Sequence, residues 1–365
     1  MLTPNILQTI RRNTDTILKL LPLLSFVVPF VILYLFQYVA FPPYPYYYRP
    51  YSDSFEITWK GRLFYIFFLW IASLELILYW DKLQPNRVKT VKSKRTAVFI
   101  IAILLPTIYT IISNFGGLNR KIVDWTYAIG INPGCDYMPL AVEYIVFGML
   151  FALILWSEYG TSGLKDALIS PIFLVTIGVI YSIDNIYSGG QFTPFQAFVP
   201  TTAMLAEKIL NLMGYQTILS LGGSMPFLYV ISQSGNGWGA SIAWPCSGVE
   251  SLIIYTLVIL LFLRTIVPSW KQRIIYFTIG AIITYFINAL RIVTIFVIAV
   301  NGGDWVKFHD FYGQLYSITW IVSYPLIIIG SRTLWTKIRS REPNAAEKQG
   351  LLNRNKPSQN VPSIP

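Results

Sequence analysis

Apolar residues along this chain gather into long runs separated by short polar stretches, with little of the strict alternation that marks an exposed strand. Eight runs, over residues 17–40, 63–79, 97–112, 141–156, 167–183, 247–267, 274–300 and 311–331, come near the ~20 helical residues that cross a hydrocarbon core about 30 Å thick. The pattern predicts an all-α polytopic membrane protein with about eight transmembrane helices. The first run is longer than the apolar stretch of a cleaved signal peptide and is expected to stay as an anchor. Residues 184–246 break the pattern, being too polar and Gly-rich for a span and too long for a connector. Within them "TAMLAEKILNLMG" reads as an amphipathic helix ending at Gly214, and "TILSLGGSMPFLYVISQSGNGWGASIAW" as short strands joined by Gly-rich turns, a set of β-hairpins. The expected organisation is therefore one transmembrane domain over residues 1–331 that contains the insert 184–246, followed by a disordered tail over 332–365.

Basic residues set the orientation. Arg11, Arg12 and Lys19 lie at the first run, Lys82, Arg87, Lys89, Lys92, Lys94 and Arg95 after the second, Lys271 and Arg273 between the sixth and seventh, and Arg332, Lys337, Arg339 and Arg341 after the last. With eight crossings all of them fall on one side, which the positive-inside rule makes the cytoplasm. Both termini are then cytoplasmic, and the loop "FPPYPYYYRPYSDSF", the insert, Cys135 and His309 face outside at a cell membrane. No internal repeat of the transporter kind is evident.

Composition adds two exclusions. The chain has 365 residues, 54% hydrophobic and 12% charged, and carries a net charge of +11. So positive a charge could serve nucleic acid, but here it is spread through short inter-helix loops and builds no basic patch; no nucleic-acid partner is expected. Two cysteines and one histidine exclude a zinc site of four Cys or of two Cys and two His, and no metal or other cofactor is called for.

The candidate chemistry lies at the outer ends of the last three runs. Cys246, in "WPCSGVES", precedes a long apolar helix, where free N–H groups and the positive end of the helix dipole favour a thiolate. Arg291, in "INALRIVTIFV", sits about 13 Å below the outer end of its helix at about 1.5 Å per residue, a depth where an Arg needs a polar cavity or a partner. Asn288 and Thr294 share its face. His309, in "NGGDWVKFHDFYG", can exchange a proton near neutral pH, and Asp310 beside it is a candidate to orient the ring. Thiolate, imidazole and guanidinium in one pocket make an acyl-transfer site, with Ser247 and Gly248 joining Asn288, Thr294 and Asp310 as substrate-pocket candidates. The bland alternatives are a packed Cys, a capping His, and an Arg paired with Glu250, Glu75 or Glu143. Cys135 is a second reactive thiol, a structural residue, or a disulfide partner of Cys246 on the oxidising side.

The motifs "PCSGVESL", "INALRIVTIFV" and "FHDFYGQLYSI", in that order, resemble the exosortase/archaeosortase family of integral-membrane cysteine transpeptidases. The resemblance covers about residues 244–329. It implies that Cys246 is the nucleophile and that Arg291 and His309 are its partners. It further implies membrane-protein substrates ending in a short motif, a transmembrane helix and a basic cluster, cut near the motif and joined to a lipid or other amine acceptor in the membrane. Pro245 stands where the family often has a small residue, and the chain carries no C-terminal soluble domain, which with its Ile- and Tyr-rich composition leans towards the archaeal branch. Three rival readings remain at this point: a boundary protease that only hydrolyses, a transporter or channel in which Cys246 is inert, and a lipid-modifying transferase that uses the same pocket on a lipid head group.

Overall fold

The computed structural model describes residues 4–35, 63–83, 94–131, 138–187, 192–223 and 225–339. Over its described residues each of the eight expected runs coincides with a helix, positions 36–40 of the first lying outside them: α1 (Pro4–Leu35), α2 (Leu63–Leu78), α3 (Lys94–Asn114), α5 (Met138–Asp166), α6 (Ile169–Ile186), α8 (Val249–Ile266), α9 (Trp270–Val300) and α10 (Gly313–Arg339). Between them, among the described residues, lie two more helices of over ten residues, α4 (Leu118–Ala128) and α7 (Val199–Leu212), and shorter helical turns. The protein is an all-α polytopic membrane protein. Among the described residues, five helical stretches are long and apolar enough by themselves to cross a bilayer, Thr96–Asn114, Met138–Asp166, Ile169–Ile186, Trp270–Val300 and Leu315–Ile338, and two shorter apolar ones, Lys19–Leu35 and Phe64–Leu78, accompany them. The last helix runs on to Arg339, past residue 331 where the hydropathy pattern ends it, so the first part of the expected tail is helical. The chain falls into two compact units, Met1–Ile321 and Val322–Pro365, and the site lies in the first.

Aromatic packing holds α1, α2 and α5 together. The Phe26 ring meets Phe68, Phe147 and Phe151 edge-on at 5.4, 5.6 and 5.3 Å, and the Tyr65 hydroxyl donates to the Phe26 carbonyl at 2.8 Å. In a membrane, where apolar surface alone does not favour helix against helix, such ring contacts and buried hydrogen bonds carry the association. Glu75 on α2 is one of the acids set against Arg291 by sequence. Its carboxylate instead accepts from the Ile169 and Ser170 N–H groups at 2.9 and 3.0 Å and from the Ser170 hydroxyl, satisfying the first turn of α6 from a neighbouring helix.

The stretch between α6 and α8 folds as the sequence predicts, a helix and then hairpins. Buried Val199, Thr202, Ala203, Ala206 and Leu210 recur at the spacing of one helix face, which makes α7 amphipathic. Strands β1 (Gln216–Ser220), β2 (Phe227–Ile231) and β3 (Gly237–Ser241) form an antiparallel meander in the order β1-β2-β3. Register pairs Leu228 with Leu219 and Ala240, and Val230 with Thr217 and Trp238, so one face of the sheet is its buried side. On that face the Trp238 ring stacks on Phe296 of α9 at 4.9 Å and on Trp305 at 5.0 Å. The meander leads straight into the turn that carries Cys246.

Candidate active site

Cys246 ends a single 3-10 turn, Trp244–Cys246, and α8 starts only at Val249. The thiol thus sits in a turn that precedes its helix, as the sequence suggests, but it is set off from the first turn of α8. Gly248 intervenes with φ 95°, a left-handed conformation that breaks the chain direction, and the Cys246 N–H is already donated to the Ala243 carbonyl at 3.0 Å. The groups that lower the thiol are His309 and Arg291.

Three side chains from three elements fix the turn. Gln196, in the short helix Thr193–Gln196, accepts from the Trp244 N–H at 3.1 Å and donates to the Ile242 carbonyl at 3.4 Å. Thr202 of α7 donates to the Ser247 carbonyl at 3.2 Å and also bonds the Tyr285 hydroxyl of α9 at 3.0 Å. Asn288 of α9 donates to the Cys246 carbonyl at 3.5 Å. Trp244 itself is fully buried, its ring 5.1 Å from Phe195. A Cβ on residue 248 would collide with the Asn288 amide, so both backbone sign and space demand glycine. Gly248→Ala is expected to cost about 1–3 kcal/mol of stability, read as a lower thermal midpoint of the detergent-solubilised protein.

The Cys246 sulfur lies 3.5 Å from His309 Nε2. His309 is carried by a π turn, Phe308–Tyr312, between the short helical turn Trp305–Lys307 and α10. Such widened turns insert one residue into a helix and re-aim the side chains that follow. Asp304 caps the entry, accepting from the Lys307 N–H at 3.0 Å. Arg291, nine-tenths buried on α9, donates through Nη2 to the His309 carbonyl at 3.3 Å, and its Nε has no hydrogen-bond partner among the described residues. Gly313 makes the approach of α10 possible, since a Cβ there would stand 2.7 Å from that Nε.

Electrostatics follow from this geometry. Burial pushes the Cys246 thiol up, but the hydrogen bond to His309 and the charges of His309 and Arg291 outweigh it even against the Asp184 carboxylate, and the thiol ends below its usual value. The sulfur is free and half-buried. Arg291 and Glu250, in the first turn of α8, also attract one another.

The three residues singled out by sequence, Cys246, His309 and Arg291, thus meet, and Asn288 joins them through the Cys246 carbonyl. The other candidates stand differently. Ser247 is buried with its hydroxyl donated to the Trp244 carbonyl at 2.8 Å, so it shapes the turn. Thr294 donates back to the Leu290 carbonyl of its own helix at 2.8 Å. Asp310 lies in the π turn, but its side chain, like Cys135 as a whole, falls outside the described residues. Gln196, Thr202 and Tyr285 carry no local signal in the sequence and join the site only through the tertiary fold. Among the described residues no three His, Cys, Asp or Glu side chains gather as metal ligands would.

A family model described as transmembrane exosortase matches residues 59–325, which hold this whole constellation. The chain belongs to the transmembrane exosortase family. Exosortase membership makes it an integral membrane protein of sorting, transpeptidase-type function, with cysteine transpeptidase or protease activity at the level of the family and membrane proteins bearing a sorting signal as substrates. No curated protein and no solved structure is significantly similar to this exosortase-family chain.

Proposed function

We propose that the protein cuts the C-terminal sorting signal of secreted or surface proteins through a Cys246 thioester and transfers the new C-terminus to an amine-bearing, membrane-held acceptor. The observation that carries this reading is the 3.5 Å contact between the Cys246 sulfur and His309 Nε2, with Arg291 bound to the carbonyl of the same histidine. The thiolate adds to the scissile carbonyl carbon, and the negative charge that builds on the oxygen is met by the Arg291 guanidinium. Collapse breaks the C–N bond, and the His309 imidazolium gives its proton to the leaving amine. The acceptor amine then attacks the thioester, His309 takes its proton, and the Cys246 sulfur leaves. Asn288 and Gly248 hold the turn that presents the sulfur.

Basic loops on one side support a topology with both termini in the cytoplasm and the thiol facing outside. A substrate whose tail is itself a membrane helix presents its cleavage site only near the boundary, which suits a nucleophile in a turn just before a spanning helix. The test is mass spectrometry of a co-expressed surface protein that ends in a short motif, an apolar helix and a basic cluster. The expected product is shortened at the motif and its carboxyl carries the added mass of an acceptor. A bare carboxyl makes water the acceptor and the protein a hydrolase; an intact tail beside folded enzyme overturns the proposal.

A further inference from the structure

β3 is an edge strand that runs into the nucleophile's turn. The Ile242 N–H donates to the Pro226 carbonyl at 2.8 Å, which fixes the parity of the strand: Trp238, Ala240 and Ile242 turn their backbone groups towards β2, while Gly237, Gly239 and Ser241 turn theirs away. No backbone hydrogen bond among the described residues takes those outward N–H and C=O groups. Where β2 ends, the Gln196 side-chain amide continues its ladder, bonding Ile242 and Trp244 on that same inner side. The backbone therefore stays extended as far as Ala243, at φ −89° and ψ 162°. There the outward carbonyl is taken by the Cys246 N–H, so the unpaired row stops where the catalytic turn begins.

Resting on the Cys246 reading above, we propose that the outer edge of β3 binds the substrate by strand addition, pairing Gly237, Gly239 and Ser241 with an extended polypeptide segment next to the scissile bond. Outward donors and acceptors on every second residue repeat at about 6.8 Å, the interval at which an extended chain presents its own. A helical or compact occupant does not match it. Pairing also explains why the strand ends beside the sulfur: a segment laid along the edge is carried towards Cys246 with its carbonyls in a fixed register. Beside the edge, on the other face from the Trp238 stack, lie the rings of Tyr229 and the exposed Phe227, close enough to Gly239 that a Cβ there would come within 2.7 Å of each. They offer an apolar rest for one substrate side chain. Affinity comes from backbone, so recognition at these positions tolerates sequence, and selectivity falls to the residues at the bond itself.

Acetyl-oligoalanine chloromethyl ketones of one to five residues test this on the full-length protein in detergent, the thiolate displacing chloride to form a thioether at Cys246. The expected labelling efficiency rises at least about ten-fold from one residue to four, and N-methylation of the four-residue probe abolishes the gain at alternate positions only. In Ser241→Pro, whose N–H faces outward so that proline removes no internal sheet bond, the four-residue probe is expected to fall to the rate of the one-residue probe. Iodoacetamide, which needs no docking, reports whether the turn has kept its shape. Labelling independent of length, or N-methylation without alternation, overturns the proposal even if the proline variant misfolds. The unreactive methyl ketones of the same lengths measure docking alone, so intact length-dependent binding beside an inert thiol counts against the nucleophile and leaves the edge standing.

Discussion

Cys246→Ala is expected to leave the protein inserted and folded while tail removal from a co-expressed substrate falls by about 10⁴-fold or more, the scale on which removal of a covalent nucleophile acts. Folding is expected to survive because the turn is held by its backbone. Gln196 bonds Ile242 and Trp244, Thr202 bonds the Ser247 carbonyl and Asn288 the Cys246 carbonyl, and none of these touches the sulfur. Cys246→Ser is expected to be nearly as inactive, since a hydroxyl in the same place ionises far less readily than a thiol. Immunoblotting of the substrate's length, beside the thermal midpoint of the variant, reads both halves of the result. Continued processing at an unchanged rate would remove Cys246 from the mechanism.

His309→Ala carries the second largest effect and a diagnostic pH dependence. Burial alone would hold the Cys246 thiol above the ordinary value of about 8.5, and the imidazole supplies both the hydrogen bond and much of the charge that bring it lower. The thiolate is the reactive form, so alkylation by iodoacetamide in the wild type rises with pH through an inflection below that ordinary value and is lost as pH falls through it. Without His309 the burial remains and its compensation does not, and the inflection is expected to move upward, so that reactivity at neutral pH drops. Processing is expected to fall by about 10²–10⁴-fold, because the leaving amine also loses its proton donor. An inflection that stays in place would mean that the 3.5 Å contact has no part in activating the sulfur.

What the sequence made legible follows from which interactions leave a periodic trace. Apolar runs of about the length of a membrane crossing stand out, and over their described residues the eight expected runs coincide with helices. The β-meander was legible because Gly-rich turns separate its short strands. α4, by contrast, mixes Asn119, Arg120, Lys121 and Asp124 with apolar residues in eleven positions and reads as loop. Arg291 stood out because a guanidinium at that depth is costly, and Cys246 and His309 because a thiol and an imidazole at the outer ends of neighbouring runs can carry chemistry. The groups that position them did not. Gln196 and Trp244 are 48 residues apart and Thr202 and Tyr285 83, and nothing at either end announces the other. The turn before α8 was legible in Pro245, Ser247 and Gly248, whereas the left-handed sign at Gly248 leaves no trace in local sequence.

The order of the reacting groups along the chain has a consequence for biogenesis. His309 lies 63 residues beyond Cys246, with Arg291 between them, so a ribosome delivers the sulfur first, the guanidinium next and the imidazole last. Until the segment carrying His309 is synthesised, the chain lacks the imidazole that lowers the Cys246 thiol in the folded protein. Under the function proposed above, cleaving power is thereby deferred until translation has passed the His309 codon.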